Sequence, residues 1–175
     1  HGMHTVVTRG SNTFGPYQYP EKVIPLFVSN ALSDQKLPLY GDGLQIRNWI
    51  YVEDHCRGIL LAFLKGKKGG IYNISSENYL TNIELTRRLL KVLGKPESLI
   101  QSVKDRLGHD RRYAIDSKKL RRLGWEEKFS FDQSLRETAL WYQSNAAWWK
   151  AIKEKGDEFK KYYARFHPYS LLAQF

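Results

Sequence analysis

Residues 11–25, SNTFGPYQYPEKVIP, constrain the fold of this 175-residue chain more than any other segment. The β-branched run before them, residues 5–9, predicts a buried strand, and the apolar periodicity after them predicts a helix over residues 20–33. Three prolines within ten residues stiffen the connection. Ligands of open α/β sheets bind at the carboxyl ends of strands, so the small polar residues that end this strand are candidate ligand-binding groups.

The rest of the chain alternates between predicted strands and predicted helices, which indicates an α/β fold. Residues 37–40 and 45–52 are predicted strands on either side of a Gly41-Asp42-Gly43 turn, and residues 71–75 are a further short strand. The predicted helix caps are Asp54, Thr81 with Glu84, Asp116, and Ser130 with Gln133. The glycines predicted to end the first three of these helices are Gly66, Gly94 and Gly124.

The composition excludes several classes of protein. Hydrophobic residues make up 42% of the chain and charged residues 26%, which is typical of a globular protein. No apolar run approaches the roughly 20 residues of a membrane span, no signal peptide is apparent, and the single cysteine permits no internal disulfide. We therefore predict a cytoplasmic protein without a membrane contact. The five histidines lack the spacing of a metal site, so no metal is predicted.

The net charge of +10 at pH 7 would attract polyanions. The basic residues cluster at residues 65–68, 87–88 and 118–122, which are predicted to be solvated loop and helix positions. Nucleic acid is therefore not expected as a partner. A non-catalytic polyanion-binding module remains an alternative, and steep salt dependence without preference for sugar nucleotides would support it.

Five segments carry a resemblance to a known family. They are residues 11–25, then LPLYGDG at 37–43, RNWIYVEDH at 47–55, YNI at 72–74 and DRLGHDRRYAID at 105–116. In this order they resemble the nucleotide-sugar 4,6-dehydratases, above all the dTDP-glucose 4,6-dehydratases, within the extended short-chain dehydrogenase/reductases. The alternative within this superfamily is an epimerase or decarboxylase, from which the run at residues 17–22 diverges.

The resemblance, which runs from residue 5 to about residue 149, implies a domain organisation. Residues 1–175 would be the carboxyl-terminal, substrate-binding half, with the late strands of a Rossmann sheet and a small mixed α/β substrate-binding domain. Residues 146–175 are predicted to form an aromatic, lysine-rich helical tail. The full enzyme would be a homodimer that binds NAD and acts in deoxysugar synthesis, for example toward rhamnose.

The resemblance also implies site residues. Arg47 would contact the pyrophosphate of a dTDP-sugar, for which a planar guanidinium is suited. Asp105, Arg106 and His109 would line the nucleotide site, on a loop that Gly108 turns tightly. The other implied substrate contacts are Asn12, Lys22, Val23, Pro38, Leu39, Tyr40, Asn82 and Tyr113. Helix capping by Asn82 and plain strand packing by Leu39 and Tyr40 are the alternatives.

Some expected features of the family are changed or missing. Thr13 stands where an asparagine usually contacts the dinucleotide, and Leu107 stands where the loop usually has proline. The chain has no glycine-rich dinucleotide fingerprint, no Tyr-x-x-x-Lys pair in the family's context and no Thr-Asp-Glu segment. The family's NAD-mediated oxidation, water elimination and reduction need these groups. No catalytic residue is therefore assigned, and this chain alone is predicted to be inactive.

Overall fold

The computed structural model describes residues 1–155 and confirms the predicted α/β class. The strands are β1 (Val7–Gly10), β2 (Asn12–Phe14), β3 (Leu37–Tyr40), β4 (Ile46–Tyr51), β5 (Ile71–Ile74), β6 (Tyr79–Thr81) and β7 (Ile100–Val103). The α-helices are α1 (Val23–Leu32), α2 (Val52–Lys65), α3 (Asn82–Leu93), α4 (Lys118–Arg121), α5 (Phe131–Ser144) and α6 (Ala146–Lys155). A 3₁₀ turn, Glu97–Leu99, leads into β7.

The strands pair in three small sheets. β1 pairs in parallel with β5, and β3 pairs in parallel with β7. In the third sheet β4 lies between β2, which is parallel to it, and β6, which is antiparallel. The register places Asn12 opposite Trp49 and Arg47 opposite Leu80. Asn12 and Arg47, two predicted ligand contacts, therefore lie on the paired strands β2 and β4.

Two hydrophobic cores hold these elements together. The larger core packs α1, α3 and α5 against β2 and β4, and its fully buried side chains include Leu85, Leu89 and Leu135. The smaller core lies beneath α2 and α4 and is built around Tyr72 and Ile74 of β5. The candidate site described below borders the larger core.

The first strand differs from its prediction in position and burial. It covers Val7–Gly10 rather than residues 5–9, and it is largely exposed, with Val7 exposed by 51%. Within residues 1–155 it pairs with β5 alone, so its other edge has no paired strand in this part of the chain. The prediction of a buried strand was wrong for this described part of the chain.

The first helix begins three residues later than predicted, because residues 20–22 form a turn. Lys22 N–H donates to the Tyr19 carbonyl, and the helix begins at Val23. The glycines of the two predicted turns adopt positive φ values, which are 57° at Gly41, 69° at Gly43 and 66° at Gly108. Both turns border the candidate site.

Asp54 does not cap a helix, contrary to the prediction. α2 begins at Val52, and the buried carboxylate of Asp54 accepts hydrogen bonds from the backbone N–H groups of Lys128 (3.0 Å) and Phe129 (3.2 Å). It also pairs with Arg57 at 2.8 Å. Two of these three donors belong to the segment before α5, so the charge-assisted hydrogen bonds connect distant parts of the chain rather than cap a helix. Asp54 therefore joins α2 to the loop before α5.

The other predicted caps form wholly or in part. Thr81 and Glu84 make both bonds of a capping box, and Gly94 ends α3 in the left-handed conformation. Ser130 accepts from the Gln133 N–H, but the Gln133 side chain donates to Glu137 instead of reaching back. At α4 the cap position is Ser117, while the neighbouring Asp116 accepts from the Lys118 N–H.

The carboxyl-terminal part of the described chain is helical. α6 packs on the larger core through Trp149, which is buried and donates a hydrogen bond to the Tyr142 carbonyl. Residues 156–175 of the predicted aromatic tail lie outside the described residues. Among residues 1–155, no helix has the length and apolar character required to cross a bilayer.

Candidate functional site

A cavity of about 240 Å³ lies between the amino-terminal end of α1, strands β3 and β4, and the loop of residues 104–114. It collects ten of the thirteen predicted site residues: Asn12, Lys22, Val23, Pro38, Leu39, Tyr40, Arg47, Asn82, Arg106 and His109. These residues are separated by up to 97 positions in sequence, from Asn12 to His109. The parallel β2–β4 and β3–β7 pairings bring the segments together.

Arg47 is the buried cation of this cavity, with an exposed fraction of 5%. Its Nη1 donates to the Ile46 carbonyl and its Nη2 to the Asp110 carbonyl, both at 2.8 Å. Burial lowers the pKa of Arg47 from its ordinary value, but a guanidinium remains charged at neutral pH. The two carbonyls use two of its five N–H groups, and the rest can bind an anion.

His109 is held against the cavity wall by Asp105. Its Nδ1 lies 2.6 Å from Asp105 Oδ1, and Gln45 Nε2 donates to Asp105 Oδ2 at 2.8 Å. Burial acts to raise the pKa of Asp105, but hydrogen bonds from His109 and from the Arg106 N–H outweigh it and lower the pKa. Asp105 does not line the cavity, so it acts on the cavity through His109.

The wall formed by β3 is mostly apolar. Pro38, Leu39 and Tyr40 follow one another along it, and the Tyr40 ring meets the His109 ring edge-on with centroids 6.2 Å apart. A Cβ atom on Gly41 would lie 2.9 Å from Asp105 Oδ2, so glycine is needed for the close approach of the two loops. An apolar wall with aromatic rings suits a flat heterocycle.

Asn82 enters the cavity as the first residue of α3. Thr81 is the N-cap of that helix, so capping does not explain the presence of an asparagine at position 82. The Asn82 backbone N–H donates to the Gln45 carbonyl at 3.0 Å, which fixes this residue beside β4. Its position leaves the ligand-contact interpretation in place.

Four cavity residues were missed by the sequence analysis: Glu21, Leu26, Phe27 and Trp49. Glu21 is largely buried and pairs with Lys22 at 2.7 Å. Trp49 lies two residues after Arg47 on β4, and this spacing places both side chains on one face of the strand. Its buried Nε1 has no hydrogen-bond partner among residues 1–155. That unpartnered donor in the cavity wall was not visible in the sequence.

Two predicted site residues lie beside the cavity. The Thr13 hydroxyl contacts His55 Nδ1 at 2.6 Å and the Ser11 carbonyl at 3.2 Å. The Tyr113 ring covers the Arg47 guanidinium, with Arg47 Cζ 4.2 Å from the ring centroid. Tyr113 itself borders a neighbouring cavity of about 320 Å³ that shares Asn12 with the first.

The charges of the cavity favour an anionic ligand. Lys22, Arg47 and Arg106 contribute three cations, and Glu21 is the one carboxylate among the lining residues. The same lining also contains apolar and aromatic side chains, among them Leu39 and Tyr40. This combination can bind a molecule with a phosphate group at one end and a flat ring at the other.

Comparison with known proteins identifies the family. The model described as GDP-mannose 4,6 dehydratase matches residues 1–138 of this chain. The chain belongs to this family of nucleotide-sugar 4,6-dehydratases. It spans about half the length of the curated relatives and solved structures that it matches.

The curated proteins that are similar to this chain include several dTDP-glucose 4,6-dehydratases. The chain is 49% identical to the one from an Actinoplanes species over 150 residues, which is 85% of this chain and 47% of the relative. The crystal structure of the Bacillus anthracis enzyme in complex with NAD has 51% identity and a TM-score of 0.80, covering 84% of this chain and 47% of that chain.

A further similar structure is DesIV, a dTDP-glucose 4,6-dehydratase from Streptomyces venezuelae with NAD and TYD bound. Its identity is 47% and its TM-score 0.84, covering 86% of this chain and 47% of that chain. The resemblance inferred from the sequence motifs is thereby confirmed.

Proposed function

We propose that this chain is the substrate-binding part of a dTDP-glucose 4,6-dehydratase. The observation that carries the proposal is Arg47, a buried arginine in a cavity whose lining combines cations with apolar and aromatic side chains. A buried cation is costly unless an anionic group compensates it. A pyrophosphate between a sugar and a thymine ring matches both kinds of side chain in this lining.

Each cavity residue then has a role set by its chemistry. Arg47, Lys22 and Arg106 bind the pyrophosphate, since guanidinium and ammonium groups form charge-assisted bonds to phosphate oxygens. The nucleobase lies against Leu39 and Tyr40. The remaining substrate contacts are Asn12, Val23, Pro38, Asn82 and His109, while Asp105 holds His109 from outside the cavity lining and Tyr113 stacks on Arg47.

Residues at the carboxyl end of β1 and the start of β2 fit the cofactor of the relatives. The buried Ser11 Oγ has no hydrogen-bond partner among residues 1–155, and the Thr13 hydroxyl lies close by. Both could bond a carboxamide or a ribose hydroxyl of NAD. When bound, NAD supplies the hydride acceptor for oxidation of the sugar. We propose that Thr13 contacts NAD and that most of the NAD site lies in a part absent from these 175 residues.

The exposed apolar surface of α2 supports a further half of the protein. Ile59, Leu60, Phe63 and Leu64 are each exposed by at least 42%, and among residues 1–155 only β5 pairs with β1. The relatives are about twice as long as this chain. We propose that the remaining half covers this surface, binds NAD and supplies the catalytic residues, so that these 175 residues alone are inactive. The whole protein would be a cytoplasmic homodimer of deoxysugar synthesis.

The test is Arg47→Ala in the protein that carries this chain. We expect dTDP-sugar binding to weaken by about 2–5 kcal/mol, the loss typical of a buried charged contact, as measured by titration calorimetry. Arg111→Ala is the matched control, because Arg111 is exposed and pairs with Asp42 outside the cavity lining. Unchanged affinity in Arg47→Ala would remove this assignment.

The same calorimetry separates the alternatives. A dehydratase of this type prefers dTDP-sugars to UDP-sugars, whereas an epimerase or decarboxylase of the superfamily is expected to prefer another nucleotide. The net charge of +10 favours one non-enzymatic reading, a polyanion-binding module. For that module the affinity would fall steeply with salt and would not distinguish sugar nucleotides from other polyanions.

A further inference from the structure

We infer that Tyr113 is a positioning residue, which holds the Arg47 guanidinium in one orientation for phosphate and makes no contact of its own with the nucleotide. The inference rests on the proposed function and deepens it. The sequence resemblance implied that Tyr113 contacts the substrate directly. We infer instead that Tyr113 acts on the substrate through Arg47. Three observations around Arg47 carry it.

The first observation is the stacking of the two side chains. Arg47 Cζ lies 4.2 Å from the centroid of the Tyr113 ring, well within the roughly 6 Å range of a cation–π contact. Arg47 lines the cavity, and Tyr113 does not. The tyrosine therefore supports the guanidinium from outside the cavity.

The second observation is that the backbone fixes the same guanidinium at its edge. Arg47 Nη1 and Nη2 donate to the carbonyls of Ile46 and Asp110, each at 2.8 Å. These bonds hold two nitrogens but permit the group to tilt about the line between them. The Tyr113 ring restricts that tilt because it covers one face. Bidentate recognition of phosphate requires such a defined plane.

The third observation is that Tyr113 is itself anchored. Its hydroxyl donates to Asp110 Oδ2 at 2.5 Å, and its backbone N–H donates to the Ile46 carbonyl at 3.1 Å. The hydrogen bond to Asp110 is the main cause of a raised pKa of the Tyr113 hydroxyl, so the ring stays neutral at physiological pH. Asp110 and Ile46 therefore hold both the arginine and the ring that covers it.

The first arm of the test needs no ligand. In the 175-residue chain, the Nε–H proton of Arg47 is expected to be shifted upfield by the ring current of Tyr113 in a ¹H–¹⁵N spectrum. Tyr113→Phe should keep the shift, because the ring remains, and Tyr113→Leu should abolish it. An Arg47 signal that does not move in Tyr113→Leu would overturn the inference.

The second arm measures binding of thymidine and dTDP by chemical-shift titration, which tolerates weak affinity. Tyr113→Leu is expected to weaken dTDP binding about fivefold, the size of a partly desolvated cation–π contact, and to leave thymidine binding unchanged. Tyr113→Phe should restore most of the loss. Equal weakening of thymidine and dTDP would mean that Tyr113 acts on the nucleoside or on the fold, and would overturn the inference.

A double-mutant cycle with Arg47→Gln completes the design. If Tyr113 acts through Arg47, Tyr113→Leu should weaken dTDP binding less than about 1.5-fold once the arginine is gone. The same fivefold loss in both backgrounds would show a direct contact with the ligand and contradict the inference. If the unmodified chain binds neither thymidine nor dTDP, the proposed function fails for this chain, and the ligand-free spectra still decide the role of Tyr113.

Discussion

The two hydrophobic cores differ in how completely residues 1–155 enclose them. The larger core is covered by α1, α3, α5 and α6, and many of its side chains are fully buried. The smaller core lies under α2, whose inner face buries Asp54, Gly58 and Ala62, while Phe63 and Leu64 on its outer face are more than 60% exposed. The cavity borders the larger, enclosed core. The residues that line the cavity therefore depend little on the packing of the smaller core.

The two cores also differ in what joins them to their surroundings. The larger core is held mainly by apolar packing between three helices and β4. The smaller core has few buried apolar residues and relies on polar links, of which Asp54 and the Trp125 Nε1 bond to the Asp54 carbonyl (3.1 Å) are central. Substitutions in the two regions should therefore destabilise the chain by different mechanisms.

The largest effect is expected for Leu135→Ala in the larger core. Leu135 is fully buried on α5, and its truncation should lower the free energy of unfolding by about 3 kcal/mol, within the range for buried leucines. Leu140→Ala is the matched control on the same helix, because Leu140 is half exposed, and it should cost less than about 1 kcal/mol. Urea denaturation measures both. Similar costs would mean that the larger core is not well packed.

A smaller but still substantial effect is expected for Asp54→Ala. The substitution leaves two partly buried backbone N–H groups and Arg57 without their acceptor, which should cost about 2 kcal/mol. Asp132→Ala is the control, since Asp132 pairs with Arg88 at the exposed surface and should cost less than about 1 kcal/mol. If both variants unfold at the same urea concentration, Asp54 is not a link on which the smaller core depends.

The sequence was sufficient to predict most elements and their order. Periodicity placed the strands of residues 37–40 and 45–52 within one residue of their ends, and the Thr81 capping box and the Gly94 helix end followed from local chemistry. Asp54 shows the limit of that reasoning. Local sequence favoured a cap, but partners more than 70 residues away, at Lys128 and Phe129, determined its role.

The candidate site was likewise predicted from the sequence only in part. Motif resemblance predicted ten residues that the structure brings together in the lining of one cavity. It did not predict Trp49 with its unpartnered Nε1, or that Tyr113 stacks on Arg47 outside the cavity lining. Such features depend on side-chain orientation and on contacts between distant segments, neither of which has a signature in a single sequence.

Lys153, a half-buried lysine of α6, gives the enclosed region a distinct pH dependence. Lys153 Nζ donates to Asn30 Oδ1 at 2.7 Å and Ser29 Oγ at 3.3 Å, and burial lowers the pKa of Lys153 from 10.5 to about 8. Between pH 8 and 10.5 the unfolded chain binds more protons at this residue than the folded chain, so stability should rise with pH in that window.

The comparison that isolates this effect is with Lys153→Met. Relative to this variant, the unmodified chain should gain about 1 kcal/mol of unfolding free energy between pH 8 and pH 10.5, a value discounted for the partial exposure of the side chain. Denaturation at a series of pH values measures the difference, in which other lysines cancel. A difference that stays constant with pH would mean that Lys153 is solvated as an ordinary surface lysine.

The smallest effect on stability, and the sharpest test of the open core, is expected on the outer face of α2. Replacing Leu60 and Phe63 with glutamine removes exposed apolar area, and glutamine is a good helix former, so the free energy of unfolding should change by less than about 0.5 kcal/mol. Binding of the dye ANS should nevertheless fall, because a contiguous apolar patch is removed.

Leu107→Gln is the control, because Leu107 is 94% exposed but lies alone on the loop beside the cavity. It should leave ANS binding unchanged, since an isolated exposed leucine forms no patch. A large loss of stability in the α2 variant would show instead that these side chains are needed to close the smaller core. In that case the two cores would not differ in enclosure, and the surface would not be available for a further half of the protein.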